Sequence, residues 1–206
     1  MIFILRNCLQ RIKNLKLKFK KMKKIKHIGF IILTALFANA TFAQMEKTVM
    51  VGGAEMYPSK TIVENAVNSK DHTTLVAAVK AAGLVETLSS AGPFTVFAPT
   101  NAAFGLLPAG TVETLVKPEN KSMLTGILTY HVVAGNISAK QLKKMVKAGN
   151  GTAELNTVAG GKLWVMRKGG KYWIKDSKGS IAQITIKDVN QSNGVIHVVD
   201  KVLIPS

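Results

Sequence analysis

The residues best suited to chemistry in this 206-residue chain are its histidines and the groups beside them. Tyr130 and His131 are adjacent within the segment ILTYHVVAG, and His72 and His197 lie elsewhere beyond the first 43 residues. Imidazole titrates near neutral pH, so each histidine is a candidate base, proton relay or metal ligand. With a carboxylate such as Asp200, His131 and His197 could form a metal site if the fold brings their segments together.

The sequence around these histidines lacks the local signatures of catalysis. The single cysteine, Cys8, lies within the basic first 43 residues. Neither the G-x-S-x-G motif of serine hydrolases nor the H-E-x-x-H motif of zinc proteases occurs. His131 and His197 lie among leucine and β-branched residues, where a buried imidazole is stable if both ring nitrogens find partners. We therefore expect a hydrogen-bonded core role for both rings, no metal, no cofactor, and a protein that is not an enzyme.

The first 43 residues predict a removed export signal. They contain ten Lys or Arg and no Asp or Glu, then the apolar stretch Ile28–Phe37, then small residues before Gln44. The apolar stretch is shorter than the roughly 20 residues of a spanning helix, so an uncleaved anchor is the weaker alternative and we expect no integral membrane protein. If Met22 is the true start, residues 1–21 lie upstream of the protein.

Removal of this signal changes the charge and cysteine content. Ten of the 28 basic residues lie in residues 1–43 and all 11 acidic residues follow them, so the net charge falls from +17 to +7. A nucleic-acid partner, which the whole-chain charge would suggest, is therefore not expected. Residues 44–206 contain no cysteine for a disulfide or a lipid anchor. We expect a secreted, periplasmic or surface-associated protein stabilised by its core alone.

Residues 44–206 predict helices first and strands second, with 44–57 as a flexible leader and 58–206 as one domain. Capping boxes at Thr61 and Ser138 indicate helix starts, and Thr111 is expected to cap a short helix. Phe94–Ala98 alternate as a strand ending at Pro99, with Thr100 or Asn101 capping the next helix. Beyond Gly149 the period becomes 2, typical of an antiparallel meander. The fold class is therefore α+β.

Three blocks of the chain, in order, resemble the fasciclin I domain family: FTVFAPTNAAF (Phe94–Phe104), ILTYHVVAG (Ile127–Gly135) and NGVIHVVDKVLIP (Asn193–Pro205). The resemblance extends from about Met56 to Ser206 and implies a wedge of two small packed β-sheets with several helices along one side. The residues that it implies as structural motif are Phe94, Thr95, Phe97, Pro99, Thr100, Asn101, Phe104, Tyr130, His131, Gly194 and His197.

The resemblance also implies a non-enzymatic module for cell adhesion or contact with extracellular matrix. In animal members, integrin recognition has been attributed to the tyrosine-histidine block, which Tyr130 and His131 match, and to short Asp-Ile motifs, which Asp188 followed by Val189 only approximates. Some members bind pigments or other apolar small molecules, so a soluble carrier of a pigment or lipid is the alternative function. Fold-level analogy does not decide between the two.

One basic segment suggests a binding surface of its own. Residues 136–187 contain eleven basic and two acidic residues, a net charge of +9, and their aromatic residues interleave with lysines around Gly169 and Gly170. In a strand, alternate residues share a face, so Lys171 and Trp173 point together and Tyr172 points away. An anionic polysaccharide or cell-surface partner could bind there through cation–π and charge attraction; the alternative is a solvated lysine face that maintains solubility. The candidate residues are Trp164, Lys168, Lys171, Trp173 and Lys175.

Overall fold

The computed structural model of the protein describes residues 47–206; the predicted export signal and residues 44–46 of the predicted leader lie outside them. The helices are α1 (Ile62–Ala66), α2 (Thr73–Ala82), α3 (Val85–Ser89), α4 (Asn101–Gly105), α5 (Thr111–Leu115), α6 (Lys121–Tyr130) and α7 (Ala139–Ala148). The strands are β1 (Val49–Val51), β2 (Ala54–Met56), β3 (Phe94–Pro99), β4 (Val132–Ala134), β5 (Thr152–Asn156), β6 (Lys162–Lys168), β7 (Lys171–Lys175), β8 (Ile181–Gln191) and β9 (Gly194–Val199).

Both predicted capping boxes are confirmed. Thr61 Oγ1 accepts a hydrogen bond from the Glu64 N–H, and the Glu64 carboxylate accepts one from the Thr61 N–H at 2.7 Å. Ser138 and Gln141 form the same pair of bonds at the start of α7. The prediction for Thr111 is wrong in its detail, because α5 begins after Gly110 and has no side-chain cap.

The predicted leader contains ordered structure. β1 and β2 pair antiparallel, and Val51 and Met56 at their ends are buried. The prediction of a flexible segment over 44–57 is therefore corrected from Val49 onward. Two three-residue strands are too short to show a period in sequence, and their stability comes from packing against the core rather than from local signals. The turn also requires glycine, since a Cβ at Gly52 would lie 2.3 Å from Ser69 Oγ.

The remaining strands form one strongly curled sheet in the order β4-β3-β9-β8-β7-β6-β5. β5 to β9 are the predicted antiparallel meander, and β3 pairs in parallel with β9. The edge strands approach each other, because Val133 bridges Thr157 and the Val158 N–H donates to Val132 O at 2.8 Å. The protein thus has two sheets, as the resemblance implied: the β1–β2 hairpin and this nearly closed seven-stranded sheet.

Two cores lie on the two faces of the curled sheet. The inner core contains side chains from all sides of the curl and is covered by the apolar face of α7 through Leu142 and Val146. The second core lies between β3 and β9 and the helices α1 to α4 and α6. β9 is buried along its whole length because it has a core on each face. No helix within residues 47–206 is long and apolar enough to cross a membrane.

The turn before β9 joins the helical layer to the sheet. Asn193 is buried, its Oδ1 accepts the Ile62 N–H at 3.0 Å, and its Nδ2 donates to Leu88 O and Ser90 O. Gly194 follows because a Cβ there would lie 2.1 Å from Phe94 O. One amide side chain thus satisfies groups at the start of α1 and at the end of α3.

We expect Asn193→Ala to lower the free energy of unfolding by about 2 to 4 kcal/mol, since three buried backbone groups lose their partner. Asn190→Ala, at an exposed position of the neighbouring strand, is the matched control and should change it by less than about 0.5 kcal/mol. Urea unfolding of the two variants tests this. Equal effects of the two substitutions would contradict the assigned role.

Candidate functional site

Tyr130 lies in the inner core and holds two distant segments of backbone. It is the last residue of α6 and is fully buried. Its hydroxyl donates to Lys162 O at 2.6 Å, accepts the Ser177 N–H at 3.0 Å, and lies 2.8 Å from Ser177 Oγ. The ring packs so closely on Gly161 that a Cβ there would lie 2.6 Å from Tyr130 Cε2. Tyr130 therefore fixes the start of β6 and the turn after β7.

His131 is equally buried, and both of its ring nitrogens are bonded. Nδ1 lies 2.8 Å from Ile127 O, and Nε2 accepts the Leu203 N–H at 2.9 Å, which assigns the proton to Nδ1. Burial lowers the pKa of His131 to about 4, although the bond to Ile127 and the charge of Asp176 act in the opposite direction. The ring is neutral near pH 7 and has no free nitrogen for a substrate.

His197 is also buried, and both of its ring nitrogens are bonded. Its Nδ1 accepts the Asp188 N–H at 3.2 Å and its Nε2–H donates to Ile137 O at 2.9 Å. Burial lowers the pKa of His197 as well. Asp188 is half-buried, and its carboxylate accepts the Ala139 N–H at 2.6 Å, at the first residue of α7. One oxygen of the Asp188 carboxylate therefore binds the first backbone N–H of α7.

These contacts argue against a catalytic or metal-binding role for His131 and His197. Asp200, the carboxylate considered with them, accepts the Gln183 N–H at 2.7 Å. No group of His, Cys, Asp and Glu within residues 47–206 is arranged to hold a metal ion. A partner could reach Tyr130 and His131 only if the core opened, and the hydrogen bonds of these two residues support a structural role. Asp188 is half-buried, and its contact with a partner stays a prediction.

The other motif residues are divided between the two cores, with Phe97 in the inner core and Phe94 and Phe104 at the second core. Phe97 is fully buried and stacks on the His197 ring, while Phe94, Pro99 and Phe104 are half-buried or buried. Thr95 Oγ1 donates to Gly135 O at 2.6 Å and accepts the Ile137 N–H.

Thr100 caps α4 through the Ala103 N–H, as predicted. Asn101 instead reaches the neighbouring helix, where its Oδ1 accepts the Thr74 N–H at 2.9 Å.

The candidate surface residues, in contrast, all lie on the outer face of the curled sheet. Along β6 and β7 the inner side chains are buried and the alternate ones point outward. Cross-strand pairs place Trp164 opposite Lys175, Met166 opposite Trp173 and Lys168 opposite Lys171. We call this set the outer face; its members on β6 and β7 are Lys162, Trp164, Met166, Lys168, Lys171, Trp173 and Lys175. The two tryptophans are half-exposed and the lysines exposed.

Tyr172 takes the opposite face, as the alternation predicts. It is 6% exposed, and its hydroxyl donates to Ala139 O at 2.8 Å beside the start of α7. The cationic groups of Arg167 and Lys187 lie 5.8 and 6.0 Å from its ring centre. Tyr172 thus belongs to the inner core and contributes to helix docking rather than to the outer face.

The outer face carries more positive charge than negative. Lys162 pairs with Glu154 at 2.8 Å, and both side chains are about half exposed. Hydrogen bonding to Lys162, with a smaller contribution from Trp164, holds the pKa of Glu154 below its usual range. Within residues 47–206 this is the only ion pair, so Lys168, Lys171 and Lys175 are uncompensated there. Such a face attracts anions, although salt screens the attraction.

A groove opens at one end of the outer face. Its volume is about 430 Å³, and it lies between the turn that follows β7 and the outward side chains of β5 and β6. Its lining is Thr152, Trp164, Met166, Lys175, Asp176, Ser177, Lys178 and Gly179. No local pattern in the sequence predicted Ser177 or Lys178 as groove residues, because the turn is held by Tyr130 from 47 positions away.

A second, apolar cavity lies in the second core, between the sheet and the helices. It measures about 60 Å³ and is lined mainly by aliphatic side chains of the β1–β2 hairpin, α1, α2 and the sheet. Pockets that enclose small organic ligands typically measure roughly 300 to 1,000 Å³. This cavity has room for a few water-sized groups and not for a pigment or a lipid chain.

Comparison with known proteins identifies relatives over most of the chain. Residues 70–205 match the Fasciclin domain. Protein sll1483 of Synechocystis sp. is 48% identical over 177 residues, covering 86% of this chain and 91% of that protein. Immunogenic protein MPB70 of Mycobacterium bovis is 38% identical over 145 residues, covering 68% of this chain and 66% of that protein.

A solved structure has the same fold. It is the FAS1 domain pair from the insect cell adhesion molecule Fasciclin I, which matches with a TM-score of 0.64 at 19% identity. The match covers 77% of this chain and 58% of the solved chain. At this identity the likeness establishes the arrangement of helices and strands and not a shared partner.

We expect Tyr130→Phe to lower the free energy of unfolding by about 1 to 3 kcal/mol, because the Ser177 N–H and Lys162 O lose a buried partner. Tyr57→Phe is the control, since the Tyr57 hydroxyl donates to the exposed carboxylate of Glu55 and its loss should cost less than about 0.5 kcal/mol. Thermal or urea unfolding measures both. A Tyr130→Phe chain as stable as the control would refute the proposed anchoring.

Stability should also fall with acid between about pH 6.5 and pH 4. The folded-state pKa of His131 is lowered to about 4, so below pH 6.5 the unfolded chain binds more protons than the folded chain. From His131 alone the loss should reach about 2 kcal/mol by pH 5. His72 and His197, whose pKa values are also lowered, act in the same direction.

Urea unfolding at pH 7.5, 6.0 and 5.0 measures this loss, and His131→Gln provides the comparison. That variant should be less stable at pH 7.5 but should lose less stability on acidification, because it no longer titrates there. An unchanged pH slope would show that His131 is not the group responsible.

Proposed function

Because the chain belongs to the fasciclin domain family, we propose that it is an exported interaction module that binds an anionic polysaccharide of a cell surface or extracellular matrix. The observation that carries the proposal is the outer face, where two half-exposed tryptophans and three uncompensated lysines point to the same side of one sheet. The residues proposed for contact are Trp164, Lys168, Lys171, Trp173 and Lys175. Export rests on residues 1–43, which lie outside the described residues.

The chemistry of the outer face favours a polyanion over a neutral partner. Lysine side chains attract anions over a distance of about 10 Å at ordinary ionic strength, and tryptophan faces add contacts that salt does not screen. The net charge of +9 in residues 136–187 makes this attraction local rather than uniform over the protein. A patch of this size gives modest affinity, so we expect binding to many repeats of one polymer.

A cell-surface or matrix protein is the related possibility for the same face. The solved structure with the same fold comes from a protein described as a cell adhesion molecule. Polymer binding is preferred here because the uncompensated cations and the aromatic rings repeat along the strands, which suits a repetitive chain of anions.

Two other functions receive less support. Catalysis would require an accessible titratable group, whereas His131 and His197 are buried and bonded at both nitrogens. A carrier of pigment or lipid would require an apolar cavity larger than the one in the second core, which measures about 60 Å³. Surface binding without turnover therefore fits the structure best.

We expect the chain to be retained on immobilised heparin and on immobilised polygalacturonate, and to elute as salt rises above physiological ionic strength. Neutralising Lys168, Lys171 and Lys175 to Gln together should lower the affinity at least about tenfold, since the charge attraction is lost at the contact surface.

The control neutralises Lys140, Lys143 and Lys144 to Gln, which changes the net charge equally. These lysines are exposed on α7, whose apolar face covers the inner core, so they lie away from the outer face. We expect the control to lose much less affinity. Equal losses would show attraction by net charge alone, and no retention of the unaltered chain would refute the proposed function.

A further inference from the structure

The groove at the end of the outer face combines features that a flat basic surface lacks. It is concave, its wall includes the half-exposed indole of Trp164, and the exposed ammonium groups of Lys175 and Lys178 border it. Resting on the function proposed above, we propose that this groove is the subsite for a single anionic pyranose ring, one bearing a carboxylate or a sulfate. The outer face as a whole would then bind the polymer, and the groove would select one of its sugar units.

The size and the apolar lining suit a sugar ring. A volume of about 430 Å³ lies toward the lower end of the range for small-ligand sites, roughly 300 to 1,000 Å³. Pyranose rings present C–H groups on one face and hydroxyls at the rim. The negatively charged face of an indole attracts such C–H groups, and the thioether of Met166 extends the same apolar surface.

The polar lining suits the rim of that ring. Thr152 and Ser177 place hydroxyl side chains at the groove, and the Ser177 side chain is exposed. Asp176 also lines the groove, but its carboxylate accepts the N–H groups of Lys178, Ser180 and Ile204 and is buried. Backbone N–H groups therefore compensate the charge of Asp176, and the ammonium groups of Lys175 and Lys178 can attract an anionic substituent.

The groove is preformed rather than a feature of a loose turn. The Asp176 carboxylate binds three backbone N–H groups, and the Tyr130 hydroxyl accepts a fourth, from Ser177. On the opposite wall, Trp164 pairs with Glu154 across β5 and with Lys175 across β7. A rigid wall on each side reduces the entropy lost on binding, so a short oligosaccharide should suffice for measurable affinity.

The position of the tryptophans makes the proposal directly testable. The chain has two tryptophans, and Trp164 lines the groove whereas Trp173 does not. In a Trp173→Phe chain the fluorescence reports on Trp164, and in a Trp164→Phe chain it reports on Trp173. The probes are trigalacturonate for carboxylate, a heparin-derived tetrasaccharide for sulfate, and cellotriose as the neutral sugar.

We expect trigalacturonate, the heparin tetrasaccharide, or both to change the Trp164 fluorescence saturably, and cellotriose to bind at least about tenfold more weakly. In the Trp173→Phe background, Lys175→Gln with Lys178→Gln should weaken binding about tenfold, whereas Lys143→Gln, a single exposed lysine on α7, should not. Binding of trigalacturonate identifies a carboxylate as sufficient. Binding of the heparin tetrasaccharide alone, which carries sulfates in addition to carboxylates, identifies sulfate as the required group.

Three results would overturn the subsite. These are no saturable signal from Trp164 with either charged probe, equal affinity for cellotriose, or a response confined to Trp173. If the chain were still retained on the immobilised polymers, the polysaccharide-binding function would stand without this groove. If retention failed as well, both proposals would fall together.

Discussion

The buried polar atoms at the junction of α6 and β4 constrain the rest of this fold. Two adjacent side chains, Tyr130 and His131, are buried at this junction, where an unpaired polar group would cost about 1 to 3 kcal/mol. His131 Nδ1 bonds to Ile127 O in the preceding helix, and the other backbone partners of the two side chains lie 32 to 72 positions away in the chain. The junction therefore stays satisfied only when β6, the turn after β7 and the C-terminal segment all occupy their native places.

The curl of the sheet follows from how those segments meet. With the edge strands β4 and β5 joined by a bridge at Val133 and Thr157, the inner side chains enclose one core and the outer ones face solvent. Alternation along β6 and β7 then separates two chemistries, since aliphatic residues and Tyr172 point inward while tryptophans and lysines point outward. The buried inner residues contribute to stability, whereas the outer residues remain accessible from solvent.

Local signals predicted what depends on neighbours in sequence. The capping boxes at Thr61 and Ser138, the α+β order and the opposite faces of Tyr172 and Trp173 were predictable because each involves residues a few positions apart. The hairpin at 49–56, the parallel pairing of β3 with β9 and the groove were not, because each depends on packing between distant segments. The hydrogen bond from the Ala139 N–H to Asp188 was not predictable for the same reason, since the two residues are 49 positions apart.

The separation of core and surface explains why the fold alone does not name a partner. A histidine whose two nitrogens are bonded to backbone groups cannot be replaced without loss of stability, so His131 and His197 belong to the interior of this chain. The outward side chains of β6 and β7 form few hydrogen bonds with the rest of the protein, so stability constrains their identity less. Under the proposed function, these outward tryptophan and lysine side chains are the ones that contact the partner.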